Sequence, residues 1–310
     1  MLAALCLQTA AAREERTLIP LGNAVGIKLF ADGALVVSVS DGSCHLKTGD
    51  LLLQVNSEKI RSAEFLQAYL QENAAAPVAL TLRRDSRLCT LTVMPKADEQ
   101  GVYHIGAWVR DSMAGIGTMT YYDPATGAFG ALGHGINDVD TAALMSLSSG
   151  SIMETTVKAV KRGSAGDPGE LKGDFTVQRD VGALRANTAG GVFGTLADTG
   201  FTAGQKPIPI ASARQITAGP ATILSTVSGS TPREYAVEIL RVNSGSDTRN
   251  MVLRITDPAL LAATGGIVQG MSGSPILQNG RIVGAVTHVL VNDPTQGYGI
   301  FIENMLAMAN

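Results

Sequence analysis

Apolar and polar positions alternate along most of this chain in short runs, with a period of two rather than 3.6. Residues 25–30, 34–39, 46–56, 78–84, 88–93, 114–122, 152–157, 190–196, 235–242 and 251–255 each read as a strand segment, rich in Val, Ile, Leu and Thr. Turns fall at Asp32-Gly33, at Asp85-Ser86 and over 123–127. One stretch breaks the rhythm. Over 62–71 the apolar residues Phe65, Leu66, Tyr69 and Leu70 share a helical face, with Ser62 placed as the N-cap. The polar stretch 95–101 reads as a linker. Beyond it, strands continue to the end with no long helical pattern, and Trp108, the only tryptophan, reads as a packing residue. The pattern therefore predicts a mainly β chain in three parts: an apolar N-terminal segment (1–16), a small α+β unit (17–96) and a larger β domain (97–310).

Composition adds limits. A hydrophobic content of 45% with 16% charge supplies a core and excludes global disorder. Thirty-five glycines suit strands joined by tight turns. The net charge of −3 provides no basic field, which argues against nucleic acid as a partner. Cys6, Cys44 and Cys89 form no Cys-x-x-Cys pair, and the four histidines show no His-Glu-x-x-His spacing, so neither a metal nor another cofactor is expected. Cys44 and Cys89 either pair in an oxidising compartment or remain buried thiols. Gly115-x-Gly117 lacks the following helix that a dinucleotide site requires. The apolar run over 1–12 ends in Ala10-Ala11-Ala12 before Arg13, like the back half of an export signal that lacks its positive leader, or like an anchor. Twelve residues fall short of the ~20 needed to span a bilayer.

The candidate chemistry centres on Gly270-Met271-Ser272-Gly273-Ser274-Pro275. A serine between glycines suits a tight turn that presents a hydroxyl and lets two backbone amides converge on one point, as an oxyanion hole needs. The stretch is similar to the Gly-Asp-Ser-Gly-Gly-Pro of chymotrypsin-type peptidases, a resemblance that implies the amides of Gly270 and Ser272 as the oxyanion hole. Ser272 takes the nucleophile position, and Ser274, the rival hydroxyl, replaces the second glycine. Met271 replaces the aspartate that pairs with a freed N-terminus, so that activation route is closed. A serine needs a base, and His134 lies among glycines at a strand end. Asp257, which follows the strand 251–255, is the candidate orienting acid. Asp138 and Asp140, close to His134 in sequence, are alternative acids. His288, on the strand after the nucleophile, is a candidate for lining a substrate pocket or for a packed structural role.

Two wider resemblances follow. The order of elements around "KTGDLLLQVNSEKI" resembles a PDZ domain of the bacterial protease-associated type, although Asn56-Ser57 replaces the usual Asn-Gly. That resemblance implies a peptide groove formed by Leu21, Gly22, Asn23, Val25, Gly26 and Ile27. Together with "ALGHGI", "RITDP" and the block from "GGIVQGMSGSP" onward, the chain resembles the SpoIVB peptidase family of sporulation serine peptidases. This implies a PDZ-like α+β domain followed by a chymotrypsin-like double β-barrel, with Ser272, His134 and Asp257 as the triad. It also implies export to the intermembrane space of the forespore, with peripheral or N-terminally anchored membrane association. The implied action is self-cleavage and cleavage of the extracytoplasmic part of a membrane-bound regulator, which triggers intramembrane proteolysis and activates a late sigma factor. The competing expectation is a non-catalytic protein that binds peptide tails through its PDZ-like unit.

Overall fold

Long strands shared between units carry the architecture, which is seen in a computed structural model describing residues 15–40, 42–74 and 76–309. Of the expected export segment, residues 1–14 lie outside the described residues, as does Cys6. In chain order, β1 (Thr17–Pro20) and β2 (Ala24–Val39) are followed by β3 (Leu51–Val55), β4 (Glu58–Lys59), α1 (Ala63–Glu72), β5 (Val78–Arg84) and β6 (Arg87–Val93). Where a linker is expected, β7 (Lys96–Ala97) and β8 (Tyr103–His104) form a small ribbon. β9 (Ala107–Asp123) then runs back antiparallel along β2, from Val39↔Ala107 to Ala24↔Thr118.

Local chemistry explains several of these elements. Ser62 caps α1, its Oγ accepting from the Phe65 amide at 3.0 Å. Asp85 and Ser86 both have positive φ, which gives the two-residue hairpin turn between β5 and β6. Asp32-Gly33 does not turn the chain. Gly33, at φ 116, lies within β2, where a Cβ would sit 2.3 Å from the Leu52 carbonyl oxygen. The β2–β9 register shifts between Phe30 and Leu35, so the expected turn is an irregularity in a continuous strand. The core beside α1 gathers Val36, Leu52, Ile60, Leu66, Leu70, Leu80, Leu82, Val93 and Ile105. Ile105 belongs with it, while residues 17–30 pack elsewhere, so the PDZ-like unit does not coincide with 17–96.

The remaining strands are β10 (Ala128–Ala131), β11 (Ser149–Lys161), β12 (Glu170–Thr188), β13 (Gly191–Leu196) and β14 (Ile208–Pro209). Pairing in the order β9-β10-β13-β12-β11-β2, with β2 also on β9, closes a six-stranded ring. Val25, Ile27, Leu29, Met119, Phe129, Ile152 and Val192 fill it. A second closed barrel follows: β15 (Gly219–Ser225), β16 (Arg233–Val242), β17 (Met251–Ile255), β18 (Pro275–Gln278), β19 (Arg281–Leu290) and β20 (Asp293–Phe301), in the order β15-β16-β17-β20-β19-β18. Helix α2 (Pro258–Thr264) precedes the nucleophile turn, and α3 (Ile302–Ala307) closes the described chain. The fold is mainly β, a PDZ-like α+β unit with a double β-barrel. The unit is inserted between the barrel portions of β2 and β9 rather than placed ahead of the barrels.

This arrangement overturns the expected peptide groove. Val25, Gly26 and Ile27 pair with Gly117, Ile116 and Gly115 on one edge and with Glu154, Met153 and Ile152 on the other. A ligand strand needs a free edge, and none remains here. Leu21 lies in the barrel core, Asn23 is buried, and a Cβ on Gly22 would meet Leu224 of the second barrel at 2.7 Å. Trp108 is also not a packing residue, since it is 71% exposed. Cys44 and Cys89 form no disulfide.

Candidate active site

The nucleophile turn is built by both barrels. Within it, the Met271 amide donates to Val268 O at 3.1 Å and the Ser274 amide donates to Met271 O at 3.0 Å. From β9 of the first barrel, the Thr118 amide donates to Ser272 O at 3.0 Å. The Thr118 and Thr120 hydroxyls donate to Gly270 O and Gly273 O. Gly273 has φ +97, and a Cβ there would lie 2.0 Å from the Thr118 carbonyl oxygen, so glycine is required for this approach. Met271 is wholly buried among the apolar residues of the second barrel, which anchors the turn. Ser274 is also buried, its hydroxyl donating to Met271 O at 2.7 Å and lying 3.0 Å from Ser225 Oγ, so it braces the turn and is no rival nucleophile.

Ser272 is half-buried, and its hydroxyl donates to Thr287 O on β19 at 2.7 Å. Among the described residues, neither the Gly270 nor the Ser272 amide donates to a protein acceptor, so both stay available at the turn.

His134 follows β10 in the first barrel, on a stretch where Leu132 and Gly133 both have positive φ. A Cβ on Gly133 would sit 3.0 Å from the Thr287 methyl, so the histidine-bearing strand end lies directly against β19. Nδ1 of His134 is 2.8 Å from Gly135 O. A carbonyl can only accept, so Nδ1 carries the proton and Nε2 keeps its lone pair. Desolvation lowers the His134 pKa, opposed by the Gly135 hydrogen bond, which favours the neutral imidazole a base requires. His288 stacks on His134 with centroids 4.8 Å apart at 36°. Its pKa is lowered to about 4, first by desolvation and then by the charges of His134 and Arg249.

His134 and Ser272 line one cavity of about 520 Å³ between the barrels, with Thr287, His288 and Gly270. Its other walls include Ile27, Ile116, Leu132, Ile136, Ile267, Val268, Val289 and Val291 with the side-chain amides of Asn137 and Gln269, and among the described residues no Asp, Glu, Lys or Arg lines it. The two sequence-derived reactive groups are thus brought into one cleft, with the hydroxyl turned toward Thr287 O rather than bonded to the imidazole.

The carboxylates are placed differently from expectation. Asp257 is the N-cap of α2, its Oδ1 accepting from the Leu260 amide at 2.9 Å and its Oδ2 from the Ala236 amide at 3.3 Å. It does not line the cavity, which corrects its assignment as the orienting acid. Asp138 binds Arg110, the Asp140 and Thr141 amides and the Thr141 hydroxyl, while Asp140 binds Arg110. Among the described residues, no carboxylate bonds the His134 ring, and the Gly135 carbonyl fixes its tautomer. Sequence reading missed Thr118, Thr120, Thr287 and Gly135. All four act through backbone atoms or as hydroxyls from a distant strand, and their residue types alone carry no signal.

A double barrel that brings a glycine-flanked serine from one half and a histidine from the other into one cleft defines a serine peptidase. The chain belongs to the SpoIVB peptidase S55 family, whose model matches residues 101–306. Among solved structures, it is similar to the inactive form of the Rv3671c protease of Mycobacterium tuberculosis (14% identity over 63% of this chain and 82% of that one, TM-score 0.36). It is also similar to the PDZ domain of an SdrC-like protein of Listeria monocytogenes (20% identity over 25% of this chain and 87% of that one, TM-score 0.24). No curated protein matches the chain.

Proposed function

We propose that this protein is a serine endopeptidase of sporulation signalling, exported to the space between the forespore membranes. There it processes itself and cleaves the extracytoplasmic part of a membrane-bound regulator, which releases intramembrane proteolysis and late sigma-factor activation. Membership of the SpoIVB peptidase S55 family supports the pathway. The chemistry rests on one observation: Ser272 and His134 share a cavity although they come from different barrels.

For the reaction, the Ser272 hydroxyl leaves Thr287 O and turns toward Nε2 of His134, which lines the same cavity. His134 takes the proton as Oγ bonds the scissile carbonyl carbon, and the amides of Gly270 and Ser272 receive the developing oxyanion. The imidazolium keeps its Nδ1 bond to Gly135 O, then returns the Nε2 proton to the leaving amine as the C–N bond breaks. Water hydrolyses the resulting ester by the same relay. On β19, β18 covers one edge as far as Ala285, and Val286 bonds the nucleophile turn, its amide donating to Ser274 O and its carbonyl accepting from the Gly273 amide. From Thr287 to Leu290 that edge has no ladder partner among the described residues, and a substrate strand would add there.

Mass spectrometry of the purified protein beside its Ser272→Ala form tests this reading. Wild type is expected as defined fragments and Ser272→Ala as intact chain, with unfolding changed by no more than about 0.5 kcal/mol. The same fragments in both samples would remove Ser272 from the reaction.

A further inference from the structure

Arg110 lies on β9 where the β2–β9 ladder leaves the first barrel for the PDZ-like unit, paired across the ladder with Leu35. Its guanidinium forks onto two carboxylates in the segment after His134: Nη1 binds Asp138 and Nη2 binds Asp140 at 2.8 Å. The Asp138 side chain is wholly buried, while that of Asp140 is half exposed. The second Asp138 oxygen closes the segment on itself, accepting from the Asp140 amide (3.1 Å), the Thr141 amide (2.9 Å) and the Thr141 hydroxyl (2.9 Å). The bond from Arg110 is therefore what ties this closed loop to the rest of the molecule through Asp138.

The same segment is gripped elsewhere. The Asn187 side chain accepts from the Ile136 amide and donates to the Ile136 and Met145 carbonyls. Farther along, Ser146 Oγ accepts from the Asp32 amide and the Ser148 amide donates to Phe30 O, both on β2. A cavity of about 260 Å³ separates Leu144 and Met145 from Arg83, Asp85 and Ser86 at the β5–β6 turn. The segment that begins with the base is thus held between the first barrel and the inserted unit. Gly135, whose carbonyl fixes the His134 ring, stands three residues before Asp138 in that segment.

We propose that Arg110 is a positioning residue for His134: its fork onto Asp138 and Asp140 fixes the Gly135 carbonyl, and with it the imidazole, against the ladder shared with the PDZ-like unit. The proposal rests on the serine-peptidase reading of the cleft. Misplacing a reacting group by ~1 Å can lower the rate ~100-fold, so a slack segment would slow the chemistry without blocking entry to the cleft.

The test uses the full chain and an active-site-directed fluorophosphonate, with the maximal inactivation rate measured separately from the half-saturating concentration. Amide hydrogen exchange over 134–146 is followed on the same samples. Arg110→Met combined with Asp138→Asn removes the buried carboxylate together with its part-exposed partner, so no charge stays buried and unpaired, and the half-exposed Asp140 keeps its contact with solvent. The double variant is expected to lose at least about tenfold in maximal rate with half-saturation within about twofold, and to exchange faster over 134–146 alone. Arg110→Lys replaces the fork by a single charged contact and is expected to fall measurably between wild type and the double variant in both rate and exchange over 134–146. Asp140→Asn, which removes only the exposed tine, is expected to lose less than about threefold. A double variant with wild-type rate and wild-type exchange would overturn the proposal, as would a loss confined to half-saturation. If the double variant loses protection throughout, Arg110→Lys decides: slower inactivation with faster exchange over 134–146 supports the clamp, and wild-type behaviour in both overturns it. Wild type that is not labelled, or Ser272→Ala that is, would sink the peptidase reading instead, while the exchange data still report whether Arg110 holds the segment.

Discussion

At the scale of single residues, the proposed base, His134, sets the expected pH dependence. Removing an imidazole from water penalises its charged form, and the His134 pKa is accordingly lowered from the ordinary 6.5. In the proposed mechanism the active form is neutral, so activity is expected to be retained as pH falls through 6.5 and lost only on passing through the lower folded value. The same shift makes the unfolded chain the better proton acceptor below pH 6.5. The stability contributed by this group is therefore complete above 6.5 and lost as pH falls toward the folded value. Fluorophosphonate inactivation measured from pH 4.5 to 8 is expected to show its acid limb below 6.5, and a limb at or above 6.5 would contradict the burial argument. Ser272 and His134 were legible in the sequence because glycines flank both, a signal that survives without knowledge of the fold. The tautomer was not legible, since it depends on the backbone oxygen of Gly135 and on no side chain at all.

At the scale of elements, Asp257 shows how one residue type supports two readings. A carboxylate after a strand and shortly before Ser272 fits an orienting acid, yet the same residues spell a short helix. Asp257 is followed by Pro258 at the first helical position and by Gly265 in the left-handed conformation (φ 77) at the end. That punctuation was present in the sequence and names the residue as a cap. Asp257→Ala is expected to destabilise the protein by about 1 kcal/mol through loss of the cap, whereas Asp257→Asn, a comparable cap, should unfold near wild type. Both should keep maximal inactivation rates within about threefold of wild type. Calorimetry beside inactivation kinetics separates the cases: a rate loss of more than about 100-fold in Asp257→Asn with unchanged unfolding would restore the carboxylate to the mechanism. Strand β2 carries a similar lesson. Asp32-Gly33 has the composition of a hairpin turn, but the chain passes straight through it because β9 pairs on both sides of the irregularity. Turn propensity is local, and that ladder is made with residues about 80 positions away.

For the molecule as a whole, the placement of the PDZ-like unit was the least legible feature. Its helix and hairpin were readable from period and capping, but the barrel's β2 and β9 run on into it and belong to both units. No change in composition marks such a boundary. The consequence for function is that the cleft is formed by the two barrels alone, and its walls are mainly apolar. Ile116 and Leu132 of the first barrel face Ile267, Val268 and Val289 of the second, with polar side chains at Ser272, Thr287, His134, His288, Asn137 and Gln269. With no charged side chain lining the cavity among the described residues, an ionised substrate side chain would lose its hydration and find no counter-charge. Both histidines are held toward the neutral form and supply none. An apolar side chain gains from the same transfer out of water. Across a set of peptides differing only in the residue before the scissile bond, Leu, Val or Met is therefore expected to exceed Asp, Glu, Lys or Arg by about 100-fold or more in kcat/KM. A shape-matched pair sharpens the comparison, because Leu and Asn share the same forked heavy-atom skeleton but differ greatly in hydration. If Asn were cleaved as readily as Leu, shape alone would govern entry. If Lys or Arg were preferred, the cavity between Ile116 and Val268 would not be the pocket that selects the substrate.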